Sequence, residues 1–158
     1  MKRNTLILLT FVPVVTGYIL NLTLLIPGMG VLLYYLLPCI TQIFWFYLGN
    51  KYSETNWNII QSIMIGNGIG FLSLLLYFWQ FWGCSDANRN LFLSALSQDF
   101  VANTNLITAK FALLFEAEKN TFSQTSATAM QILGLLLMII IFILGFVWGK
   151  VKNDRRPS

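Results

Sequence analysis

The chain has 158 residues, 56% of them hydrophobic and 10% charged, with ten basic and six acidic side chains, no histidine and a net charge of +4. A soluble domain carries about 25% charged residues, so lipid rather than water is the main solvent expected here. The modest positive balance gives no support to nucleic-acid binding, and without histidine the usual proton shuttle and commonest metal ligand are missing.

The positions of the charges say more than their number. None falls between Arg3 and Lys51, between Glu54 and Asp86, or between Lys119 and Lys150. A hydrocarbon core of ~30 Å takes about 20 helical residues per span, so the first gap holds two spans and the others one each. The sequence predicts an all-α integral membrane protein: a four-transmembrane-helix bundle with spans at 6–26, 31–48, 57–82 and 129–148, and a short amphipathic helical cap between the third and fourth.

Met1, Lys2 and Arg3 ahead of an apolar stretch have the look of a signal peptide. The stretch exceeds the usual core of about 7–15 residues and no small-x-small cleavage site follows, so it reads as a retained first helix. Pro27-Gly28-Met29-Gly30 then reverses the chain, since proline removes a donor and glycine permits a tight turn. The second span is expected to stop at Gly49-Asn50. Pro13 and Pro38 predict a kink in each of the first two helices.

The segment 83–128 reads as two amphipathic helices on the outer side. Phe92, Leu93, Leu96 and Phe100 make one apolar stripe, with Ser94, Ser97, Gln98 and Asp99 mostly off it; Ile107, Phe111, Leu114 and Phe115 make another, with Lys110, Glu116 and Lys119 among the polar positions. Ser85 or Asp86, and Thr104 or Asn105, are candidate caps. A flat cap is the first expectation for this segment and a partly buried re-entrant hairpin the alternative. A basic tail, 149–158, closes the chain.

Short basic segments mark the cytoplasmic side of a membrane. Lys2 and Arg3, Lys51, and Lys150, Lys152, Arg155 and Arg156 fall on one side when both termini are cytoplasmic. Aromatic placement follows the same depths: Trp45, Tyr47, Tyr52, Trp57 and Trp148 toward the inner interface; Tyr34, Tyr35, Tyr77, Trp79 and Trp82 toward the outer. A bacterial-type cell membrane is the expected location.

Chemistry is sparse. No Asp, Glu, Lys or Arg lies in a predicted span, and such residues are the usual mark of proton and ion pathways. Cys39 reads as a small buried packing residue, too far in depth from Cys84 for a disulfide, and there is no C-x-x-C pair. Asn21-Leu22-Thr23 matches a glycosylation sequon but falls inside a helix. No catalytic, cofactor-binding or metal-ligating set emerges, and no cofactor is expected.

What remains concerns packing. Ser62, Gly66, Gly70 and Ser73 line one face of the third span, and Gly145 and Gly149 repeat the small-x-x-x-small spacing in the fourth. Small residues let helix backbones approach, so these two faces are expected to meet within the chain or at a homo-oligomer seam. Thr41, Gln42, Gln61 and Asn67 in the second and third spans, and Asn21 and Gln131 in the first and fourth, are intramembrane polar residues, with Gln42 and Gln61 expected to pair. The basic tail is a candidate for anionic lipid. The first reading is an accessory, protective or subunit protein that binds another membrane protein. The second is an oligomeric channel for an uncharged solute lined by Thr41, Gln42 and Asn67. An intramembrane enzyme comes third, because no acid–base pair or nucleophile assembles within the spans.

Overall fold

The computed structural model describes residues 2–23, 26, 28–112, 114 and 123–154, and every regular element among them is helical. Three helices are long and apolar enough to cross a membrane, four when one bent pair counts as a single span. The protein is a polytopic helical membrane protein.

The first span, Arg3–Thr23, consists of α1 (Arg3–Leu9) and α2 (Val12–Thr23). Pro13 accounts for the interruption, since it lacks an N–H and its ring crowds the carbonyl four residues earlier. The chain tightens in response: the Thr10 N–H bonds Ile7 O at 3.1 Å and the Phe11 N–H bonds Leu8 O at 3.2 Å. The kink therefore falls ahead of Pro13, and the helix begins at Arg3 instead of residue 6.

The second span, α3 (Met29–Ser53), carries Pro38 without breaking and continues past Gly49, where the sequence predicts an end. Gly49 lies against the Phe142 carbonyl of the last helix, so this glycine serves close approach and not termination. The third span is not one helix: α4 (Ile59–Gly66) and α5 (Gly68–Phe78) meet at 52°. Gly66-Asn67-Gly68 supplies the break, because glycine and asparagine are poor helix formers and the Asn67 side chain bonds back to Ile63 O at 3.2 Å. A π-helical turn, Trp79–Gly83, extends α5.

Two short helices follow, α6 (Leu91–Ala102) and α7 (Asn105–Ala112), and then the last span, α8 (Gln124–Asp154). The last helix is longer at both ends than 129–148, and the Ser126 N–H bonding Ser123 Oγ at 3.2 Å supports its start. Asn90 caps α6, its Oδ1 accepting from the Leu93 N–H at 3.1 Å. Neither Ser85 nor Asp86 does so. Thr104 turns its hydroxyl back to Val101 O at 2.6 Å.

The most extensive contact joins α3 and α8; α6 packs on α2 and α5, and α7 on α8. Core residues Leu6, Trp45, Leu48, Tyr52, Phe142 and Phe146 come from the spans, but Phe100 and Val101 come from α6. The flat cap is thus replaced by the alternative arrangement, a helical hairpin seated among the spans. Its expected apolar stripe is partly inverted: Leu91 and Phe92 are 83% and 71% exposed, whereas Ser94, Ser97 and Asp99 are buried. Trp45, Tyr52 and Tyr77 are also fully buried, so their rings belong to the core. Cys39 is exposed instead of packed inside. Phe115, Glu116, Lys119, Arg155 and Arg156 lie outside the described residues.

Candidate functional site

The polar residues of the first two spans converge on the tip of the α6–α7 hairpin. Asn103 and Thr104 form that tip, and both are fully buried. Asn103 Nδ2 donates to Pro13 O and to Thr16 Oγ1, each at 3.0 Å. Gln42 Nε2 donates to Asn103 O at 3.3 Å. Thr41 Oγ1 lies 3.3 Å from Asn103 Oδ1 and 3.2 Å from Thr16 Oγ1, so its single proton serves one of them at a time. Pro13 and Thr41 sit near the middle of the Arg3–Thr23 and Gly30–Ser53 spans. The hairpin therefore reaches mid-length in the bundle, where the Pro13 carbonyl receives it.

Higher on the same helix, Asp99 is 2% exposed, and its Oδ1 accepts from Asn21 Nδ2 at 2.8 Å. The sequence places Asp99 off the apolar stripe, on a solvated face of this helix, and the structure corrects that: the residue is buried although it lies outside the four spans. A carboxyl withdrawn from water needs a polar partner, and Asn21 supplies it from α2. Below it, Gly17 meets the Asp99 backbone carbonyl so closely that a Cβ there would overlap it. On the other side, Gly134 of α8 leaves room for Thr104 and Val101, which a Cβ would approach to 2.5 and 2.8 Å.

The mouth of the hairpin is tied by Gln80, 1% exposed in the π-helical turn. Its Oε1 accepts from the Asn90 N–H at 3.0 Å, and its backbone carbonyl accepts from Arg89 Nε at 3.1 Å. Arg89 also pairs with Asp86 at 2.8 Å and lies over the Phe81 ring. Across the mouth, Trp82 Nε1 donates to Thr128 Oγ1 at 3.0 Å.

The remaining sequence candidates are placed elsewhere. Gln61 completes a capping box with Asn58 at the start of α4, which leaves the expected Gln42–Gln61 pair unformed because Gln42 is engaged by Asn103. Gln131 is buried in α8. Gly66 makes room for the Phe142 ring, and Gly70 for Phe100 and Leu135, while Ser73 borders an apolar cleft of about 240 Å³ between α2, α5 and α6. Gly145 and Gly149 do not meet that stripe. They lie against Phe46, Asn50 and Ser53 of α3. The reason is reciprocity: close backbone approach needs small residues on both helices, and α3 offers Gly49 and Ser53 at the same four-residue spacing. That spacing is present in the sequence and is the signal that locates the seam. No comparable signal marks Gly17 or Asn103.

The seat explains one testable cost. Asn103→Ala removes the interhelical bonds at the hairpin tip, which average roughly 0.6 kcal/mol each in membrane proteins, and leaves the Gln42 bond to the backbone intact. A loss of about 1–2 kcal/mol is expected, read as a lower midpoint in detergent unfolding. Among the described residues, no group of three His, Cys, Asp or Glu side chains is placed to hold a metal ion. No family model matches the chain, and neither does any curated protein or solved structure.

Proposed function

We propose that this protein acts by binding another membrane protein, as an accessory, protective or subunit component of an assembly. The observation that carries this reading is the closure of Thr16, Thr41 and Gln42 on Asn103. A channel lined by Thr41, Gln42 and Asn67 needs these groups to face one lumen, whereas two of them hold the hairpin and Asn67 belongs to the break in the third span. The surface left for recognition is apolar. It includes one side of α3, with Val31, Leu32, Tyr35, Ile40, Ile43 and Tyr47 exposed, and a rim of Trp79, Trp82, Leu91 and Phe92 at the mouth of the hairpin.

In this reading both termini are cytoplasmic, the hairpin opens toward the outside of a cell membrane, and Lys150 and Lys152 contribute to anionic-lipid contact at the inner surface. Reporter fusions after Asn50 and after Ser85 are expected to report opposite compartments. Cross-linking and affinity purification from native membranes in mild detergent are expected to recover a membrane protein in fixed ratio to this chain, or a second copy of it. Liposomes containing this chain alone are expected to pass no solute. Flux through them, with no co-purifying protein, would replace this reading with the channel.

A further inference from the structure

Four polar atoms in the lower part of the bundle have no hydrogen-bond partner among the described residues: Trp45 Nε1, Tyr52 Oη, Ser62 Oγ and Asn67 Oδ1. All four residues are fully buried. Trp45 and Tyr52 belong to α3, Ser62 to α4 and Asn67 to the α4–α5 break, and Phe142 of α8 stands beside the first two rings and beside Gly66. The Trp45 and Tyr52 rings lie 5.9 and 5.2 Å from the Phe142 ring, centroid to centroid. Gly66 stands one turn beyond Ser62 and next to Asn67, and a Cβ there would come within 2.5 Å of the Phe142 ring. The four groups thus gather where two spans meet the bend of a third.

A buried polar atom without a partner forfeits its hydration with nothing in return, and native interiors contain few. Two beside the Phe142 ring and two on either side of Gly66, which abuts the same ring, point to a shared ligand. Their chemistry limits what it is. The indole N–H only donates, the amide oxygen only accepts, and the two hydroxyls do either. A turned-in N–H disfavours a cation, a turned-in carbonyl disfavours an anion, and no formal charge belongs to the set. The matching ligand is small and uncharged, and both donates and accepts. Water is the smallest such molecule and takes two to four polar partners when buried. Helix breaks inside membranes persist where neighbours or ordered water satisfy the groups they free. We propose that the bend of the third span holds a buried water site, in which water bridges Trp45, Tyr52, Ser62 and Asn67.

Isosteric substitutions in the full chain, unfolded thermally in detergent, test this directly. Were the groups dry, Tyr52→Phe and Ser62→Ala would each delete an unpaired polar atom and raise the Tm. Bound water predicts the reverse: each lowers it, and the double variant lowers it by less than the sum, because both hydroxyls hold the same water. Ser73→Ala, the same exchange elsewhere in the bundle, corrects for helix propensity. A rise, no change, or strict additivity overturns the proposal. A density map fine enough to show ordered water elsewhere in the bundle is expected to show it within hydrogen-bond distance of Trp45 Nε1 and Asn67 Oδ1. A dry junction in such a map overturns it as well.

Discussion

Gly17→Leu is expected to unseat the α6–α7 hairpin, with a loss of about 3 kcal/mol or more. Gly17 faces the backbone carbonyl of Asp99, and a backbone atom has no rotamer with which to withdraw. Relief requires α2 and α6 to separate. That movement would stretch the Asn21–Asp99 bond and the two bonds from Asn103 to Pro13 and Thr16. A single cysteine at Ser97, fully buried in the native protein, reports the event once Cys39 and Cys84 are replaced by serine. Thiol labelling is expected to be slow in the Gly17 background and fast in Gly17→Leu. Gly68→Ala provides the control, because nothing lies within 4 Å of a Cβ there and alanine is the better helix former by roughly 1 kcal/mol. It is expected to leave labelling unchanged and stability equal or higher. Equal labelling in Gly17→Leu and the parent would show that α2 does not hold the hairpin.

Gly145→Val is expected to have a comparable effect at the α3–α8 seam. Gly145 abuts the Phe46 carbonyl while Gly49 abuts the Phe142 carbonyl, so two backbones are in mutual contact. Valine there forces the helices apart along the most extensive contact in the fold, and neighbouring small residues cannot compensate. A loss of about 2–4 kcal/mol is expected in denaturant unfolding. Gly49→Ala and Gly145→Ala form the informative pair. Once one has opened the interface, the second meets less resistance, so the double variant is expected to lose less than the sum of the singles. Strict additivity would mean that the two contacts act independently.

The spans are legible because a soluble fold has no use for charge-free apolar stretches of membrane length. Residues 6–26, 31–48 and 129–148 anticipate three helices, and 57–82 anticipates the fourth as a bent pair. The breaks are less legible. Pro13 announces the first, though not its position, whereas Gly66-Asn67-Gly68 reads along the chain only as part of a small-residue face. The α3–α8 seam is half visible in Gly145 and Gly149. Its other half, Gly49 and Ser53, is masked because a glycine near the end of a span reads equally well as a stop.

By itself, the sequence determined that this protein is helical, polytopic and membrane-embedded, since backbone groups in hydrocarbon are satisfied only in helices or closed barrels and its long charge-free apolar runs have the length of helical spans. Tertiary structure alone decided which face of α6 turns inward. In water, an apolar stripe reveals the inner face of a helix. In a bundle whose outside is also apolar, the stripe loses that meaning, and polar side chains mark the face that must find partners. Leu91 and Phe92 accordingly stay outside while Ser94, Ser97, Asp99 and Asn103 turn inward. The partners of Asp99 and Asn103, namely Asn21, Pro13, Thr16 and Thr41, are 62 to 90 residues away along the chain, a distance at which local periodicity carries no information.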